Sequence, residues 1–183
     1  MINLNAALDL PLNKRKLLKI QFFNALNQTV YSNVQRMNSE KNLTFALLEY
    51  RNNTLYLSGQ HEQMIVVREN GHLEQIDTID LGFPIGLEED ITNFIAQIQL
   101  PLNAGDVVIL YTDGITEAEN LEKEHYGLKR LCDIVSHNRQ RSAEDIKQAI
   151  VDDVRQYIGG QKIFDDMALL VLKHKPVTLP LLH

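Results

Sequence analysis

Two stretches set carboxylates where hard-ion chemistry could be done: Leu110-Tyr111-Thr112-Asp113-Gly114-Ile115-Thr116-Glu117-Ala118 and Phe164-Asp165-Asp166-Met167-Ala168-Leu169-Leu170-Val171. Val107 to Tyr111 reads as a buried strand that Asp113-Gly114 ends. The carboxylate then protrudes from the sheet rim, where glycine allows a sharp exit. Met167 to Leu172 reads as a second buried strand, with the Asp165-Asp166 pair at its N-terminal end. Two adjacent anions repel unless something positive holds them. Oxygen ligands on rigid strand ends suit Mg²⁺ or Mn²⁺, which keep several waters beside a few carboxylates. Together the stretches read as half of a metal site.

The surrounding elements must bring these strand ends together. Leu17, Leu18, Phe22, Leu26 and Val30 recur at helical spacing, so Lys14 to about Val34 reads as an amphipathic helix whose apolar stripe needs a sheet. Leu43 to Tyr50 and Thr54 to Leu57 flank the polar turn Arg51-Asn52-Asn53 and form a hairpin. Met64 to Arg68 and His72 to Ile76 form another around Asn70-Gly71. Gly82, Pro84 and Gly86 punctuate a loop, and Ile91 to Leu100 alternates enough to favour a strand. Leu128, Leu131, Ile134 and Val135 mark one later helix. Ser142 caps another, with Asp145 as a weaker partner than the usual Glu or Gln, and Gly159-Gly160 ends it. The pattern is that of an α+β domain over residues 1–183, with 174–183 as a peripheral tail.

Gly105-Asp106, the strand, Thr112-Asp113-Gly114, Glu117-Ala118 and Asp165-Asp166-Met167 follow one another in an order that resembles the SpoIIE-type metal-dependent serine/threonine phosphatases. These are bacterial relatives of the type 2C (PPM-type) protein phosphatases. Leu26-Asn27, Leu57-Ser58-Gly59-Gln60-His61 and Gly82-Phe83-Pro84-Ile85-Gly86-Leu87 extend the likeness over about residues 20 to 172. The resemblance implies an antiparallel β-sandwich flanked by helices. It also implies hydrolysis of a phosphoserine or phosphothreonine ester by water held on two divalent ions, Mn²⁺ or Mg²⁺. Carried over by position, Asp113 and Asp165 are metal ligands. Asp166, Thr112, Gly114 and Glu117 are neighbours of the site. His61 falls at a Gly-His position displaced by Gln60 and is expected to be a loop residue.

Family members begin with an earlier segment of Gly-Asp motifs that supplies the aspartate bridging the two ions, and nothing before Asp113 fits it. Asp9 has no glycine beside it. The chain is therefore expected to be the C-terminal part of the catalytic domain, N-terminally incomplete, with at most one ion weakly bound and little activity alone. Its parent would carry upstream sensory or receiver domains, and its substrate would be a phosphorylated regulator such as an anti-sigma-factor antagonist in bacterial signalling. Strand edges left without partners predict a homodimer or a rearranged edge. Two alternatives stay open. The chain could be a catalytically dead module that binds a regulator or phosphoprotein, or another polypeptide could donate the aspartates.

Composition excludes several other classes. The chain has 183 residues, of which 18 are Lys or Arg against 24 Asp or Glu, a net charge of -6. It offers no basic face for nucleic acid. It shows no apolar run near the roughly 18 residues that a membrane helix needs. Cys132 is the single cysteine, so no internal disulfide forms, which fits a cytoplasmic setting. It falls beside a helix stripe and is expected to pack inertly. Each acidic motif taken singly is an ordinary turn or solvated strand start; the ordered combination gives them meaning.

Overall fold

The first described helix, α1 (Leu12–Arg36), forms where apolar residues recur at helical spacing in a computed structural model that describes residues 12–160 and 166–175. The chain continues through β1 (Leu47–Arg51), β2 (Thr54–Ser58), β3 (Met64–Val67), β4 (Leu73–Ile76), β5 (Ile98–Pro101) and β6 (Val107–Tyr111). It then forms α2 (Asp113–Thr116), α3 (Leu128–Asn138), α4 (Ala143–Ile158) and β7 (Leu169–Lys173). The strands make two sheets, ordered β1-β2-β5 and β4-β3-β6-β7. Asn52 and Asn53 both take positive φ, 47° and 59°. This left-handed pair is what a tight two-residue hairpin requires, and asparagine tolerates it.

Two compact units divide the described residues: 12–49, 56–61 and 78–99 in the first, and 50–55, 62–77, 100–160 and 166–175 in the second. In the first, Phe23, Ile85 and Ile91 form the core, with Leu26, Val30, Phe45 and Leu47 packed against them. The α1 stripe is rotated from the sequence reading. Phe23 is its buried anchor, whereas Leu17, Leu18 and Phe22 stay exposed. Phe22 stands about 100° around the helix from Phe23, which carries it to the margin of the packed face, where its ring lies 5.9 Å from that of Phe45. Asn27, fully buried, accepts the Gly86 N–H and donates to the carbonyls of Glu88 and Glu89. It thereby fixes the loop that Gly82, Pro84 and Gly86 mark.

The second unit holds the antiparallel sheet β4-β3-β6-β7, with register Ile65↔Ile109 and Tyr111↔Leu169. Alternate residues Ile65, Val67, Val107, Ile109 and Tyr111 share one face and one apolar cluster with Leu131 and Val135 of α3 and Ile146, Ile150 and Val154 of α4. Burying each such aliphatic side chain contributes roughly 1.5–3 kcal/mol, so this cluster sets the frame for β6. α4 begins as its sequence suggests: Ser142 Oγ accepts the Asp145 N–H at 3.1 Å and donates to Asp145 Oδ2 at 2.6 Å.

Three expected strands differ; the strand expected from Leu43 begins at Leu47, and Leu43 instead makes an isolated bridge with Ile85. Ile91 to Leu100 is not one strand: Thr92–Phe94 forms a 3-10 turn and only Ile98–Pro101 is extended. Asp90 Oδ1 accepts the Thr92 N–H at 2.9 Å and draws the chain into that turn. The last strand runs Leu169–Lys173, not from Met167, and it is not buried throughout, since Leu170 is 45% exposed. It stands at the edge of its sheet among the described residues, so one of its faces reaches solvent.

Candidate metal centre

β6 ends on Tyr111, and Thr112 remains extended at φ -94°, ψ 156° before the chain enters the single turn α2. The register that pairs Tyr111 with Leu169 carries Thr112 opposite Ala168. The Thr112 N–H donates to the Ala168 carbonyl at 3.1 Å. Its hydroxyl accepts the Ala168 N–H at 2.8 Å and donates to the Asp166 carbonyl at 3.0 Å. A side-chain oxygen thus continues the β6-β7 ladder past its last residue pair and holds the Asp166 backbone beside the Asp113 turn.

Asp113 is exposed at this rim. Its Oδ1 accepts the Gly114 N–H at 2.9 Å. Its carbonyl accepts from the Glu117 N–H at 2.7 Å and the Thr116 hydroxyl at 3.2 Å. The carboxylate therefore sits on a turn pinned from both sides. Gly114 is buried and lies within α2, absent from the positive-φ glycines, so the exit from the strand is helical. The sharp glycine turn expected there does not form, because a single helical turn makes the same change of direction. Glu117 is exposed, as is Asp166. Asp165 lies outside the described residues, as does Asp9. Among the described residues, no three His, Cys, Asp or Glu side chains converge as a metal cage.

Tyr111 ends the buried strand beneath this rim. Its phenol is pushed up to about 12 by burial and by the Glu62 carboxylate. It is neutral at ordinary pH and adds no charge beneath Asp113. His61 is a loop residue: its N–H donates to the Thr78 hydroxyl at 2.9 Å, and that hydroxyl donates to the His61 carbonyl. Cys132 is buried, and burial pushes its thiol up, which suits packing and not nucleophilic attack.

Among the described residues of this unit, the buried carboxylate is another one, at the opposite end of β6. Asp106 is 1% exposed and accepts from Arg68 Nη1 at 2.8 Å, the Asn103 N–H at 2.9 Å and the Glu69 N–H at 3.0 Å. Burial pushes its carboxyl up, but the Asn103 N–H, the Arg68 guanidinium and the Glu69 N–H together hold it below the ordinary aspartate value. Sequence reading treats Gly105-Asp106 as a strand start. Its charged partner, Arg68, lies 38 residues away and leaves no local signal.

A family model described as Stage II sporulation protein E (SpoIIE) matches residues 5–175. Protein IcfG of Synechocystis sp. (strain ATCC 27184 / PCC 6803 / Kazusa) is 26% identical over 164 residues, covering 87% of this chain and 25% of that protein. The chain thus spans a quarter of that relative's length. Among solved structures, the SiaA-PP2C domain of Pseudomonas aeruginosa superposes with a TM-score of 0.66 at 19% identity, over 81% of this chain and 58% of that one. The phosphatase domain of the cell fate determinant SpoIIE from Bacillus subtilis, presoaked with Mn, gives a TM-score of 0.56 at 18% identity, over 84% of this chain and 66% of that one. At such identities the likeness is one of fold, the mixed helix and antiparallel-sheet fold of PP2C-type phosphatase domains. With almost its whole length matched, the chain belongs to the SpoIIE family of phosphatase domains.

Proposed function

We propose that the chain is the metal-binding part of a protein serine/threonine phosphatase that hydrolyses phosphoserine or phosphothreonine on a regulatory protein. Asp113 and Asp165 would hold a Mn²⁺ or Mg²⁺ ion, with Thr112, Gly114, Asp166 and Glu117 around them. The observation that carries the reading is the Thr112 hydroxyl, bonded to both the Asp166 carbonyl and the Ala168 N–H. Through it, two acidic stretches far apart in sequence reach one rim. The carboxylates of Asp113, Glu117 and Asp166 are exposed hard-oxygen donors, which fit a hydrated divalent cation.

When bound, such an ion supplies Lewis acidity toward water and phosphate oxygens. The protein's own part is placement. Asp113 offers a carboxylate whose backbone is fixed by the Glu117 and Thr116 bonds, so little reorganisation accompanies binding. Gly114 orients that carboxylate through its N–H. No side-chain nucleophile is needed, in keeping with the burial of Cys132.

Two carboxylates leave most of an ion's positions to water, so the 183-residue chain is expected to turn over phosphoserine substrates near background. The test is Mn²⁺-dependent phosphate release from a phosphoserine protein by a form extended at its N-terminus. Turnover that Asp113→Ala abolishes supports the reading. A stable extended protein with Mn²⁺ but no turnover would favour a module that only binds its regulator.

A further inference from the structure

The chain beyond the Asp113 turn is tied back at several points. The Thr116 carbonyl accepts the Gly127 N–H at 2.9 Å, and the Ala118 carbonyl accepts the Tyr126 N–H at 2.8 Å. Glu119 and His125 form an isolated antiparallel bridge between them. The place of Asp113 is therefore set in part by where residues 124–127 sit.

Those residues are held by a polar cluster between α3 and α4. Tyr126 donates its hydroxyl to Asp153 Oδ2 at 2.6 Å. Arg130 forks onto the same carboxylate, Nε to Oδ2 and Nη2 to Oδ1, both at 2.9 Å. Its guanidinium lies 4.7 Å from the Tyr157 ring centre and 5.3 Å from that of Tyr126. The Tyr157 hydroxyl closes the ring of contacts, its one proton shared between the carbonyls of His125 at 3.0 Å and Glu124 at 3.2 Å.

Packing of α3 on α4 does not need this cluster, because Leu131, Val135, Ile146 and Ile150 are already fully buried between helices and sheet. A partly exposed ion pair adds little net stability, whereas a forked guanidinium-carboxylate pair fixes geometry. What the cluster adds is a defined position for residues 124–127. A single helical turn such as α2 is marginal by itself and depends on its ends being held. Thr112 holds one end, and residues 126 and 127 hold the other.

We infer that Tyr126, Arg130, Asp153 and Tyr157 are positioning residues for Asp113: they fix the loop whose backbone anchors the far end of the α2 turn. The inference rests on the proposed metal reading for its consequence, but the mechanical coupling can be measured without metal. Amide hydrogen exchange of the full 183-residue chain is compared among wild type, Asp153→Asn and Ile146→Val. The last trims the α4 core at a side chain that makes none of the cluster's hydrogen bonds, and the variants are compared at matched distance below their Tm. Asp153→Asn should speed exchange at the Glu117, Tyr126 and Gly127 amides about tenfold beyond the control, with Ile109 and Leu110 in β6 unchanged.

Mn²⁺ titration of the same samples should then show about tenfold weaker binding for Asp153→Asn alone, a loss that general destabilisation does not produce. If Asp153→Asn folds poorly, Tyr157→Phe removes only the two loop bonds and should give the same local pattern, smaller. Equal exchange at those amides in cluster and control variants overturns the inference. If wild type binds no Mn²⁺ near Gly114, the metal reading fails, and the exchange contrast alone decides the coupling.

Discussion

The hydroxyl of Thr112 donates to the carbonyl oxygen of Asp166 across 54 residues of sequence. Thr112 Oγ1 also accepts the Ala168 N–H, so one side chain sets the spacing between the Asp113 turn and the start of β7. Thr112→Val keeps the shape and removes both bonds. It should lower metal-dependent turnover of the extended protein by about 10- to 100-fold, the usual cost of a small misplacement at a reacting centre. Thr112→Ser should restore most of it. Stability should fall by only about 1 kcal/mol, read from the urea midpoint.

Asp113 is exposed, and among the described residues its carboxylate supports nothing beyond the adjacent Gly114 N–H. Asp113→Ala should therefore change stability by at most about 1 kcal/mol while abolishing Mn²⁺ dependence. Thermal unfolding beside phosphate release separates the two effects. A large drop in Tm would mean that the residue is structural.

Asp106 should behave in the opposite way. Its folded carboxyl titrates below its unfolded value, and Glu74, held by the same Arg68 guanidinium, does likewise. Stability from a lowered carboxyl is fully present above about pH 4, the unfolded range, and is lost as pH falls through the lower folded value. Asp106→Asn should flatten the acid limb of the stability curve and cost about 2 kcal/mol at neutral pH, with metal binding unchanged. An acid limb identical to wild type would contradict the network.

Much of the frame was legible in the residues, and the misreadings have physical causes. Val107 to Tyr111 is a continuous apolar run ended by polar residues, so β6 and the place of Asp113 at its rim could be read directly. Leu17, Leu18 and Phe22 satisfy helical spacing as well as Phe23 does, and only tertiary packing with Ile85 and Ile91 chooses the face. In Asp90-Ile91-Thr92, an Asp two residues before a backbone donor was a local turn signal that period-two alternation obscured. Asp106 with Arg68, Asp153 with Arg130, and Tyr157 with the His125 carbonyl are pairings distant in sequence, and no spacing rule announces them.

Gly59 tests the backbone frame of the first unit. Its φ is +92°, and a Cβ there would lie 2.1 Å from the Phe45 carbonyl oxygen, closer than any contact permits. Gly59→Ala must both adopt a strained conformation and displace main chain, so a loss of about 2 kcal/mol or more is expected. Denaturant unfolding would show it. A neutral result would mean that this approach of backbone to backbone is looser than the geometry states.

The most direct test of the metal reading is paramagnetic broadening of backbone amide signals in the ¹⁵N-labelled 183-residue chain as Mn²⁺ is added. Gly114, Ile115, Asp166 and Met167 should broaden first, and Asp113→Ala should abolish that pattern without shifting the signals of β3. Broadening centred on other residues, or a pattern indifferent to Asp113→Ala, would contradict a shared ion at this rim.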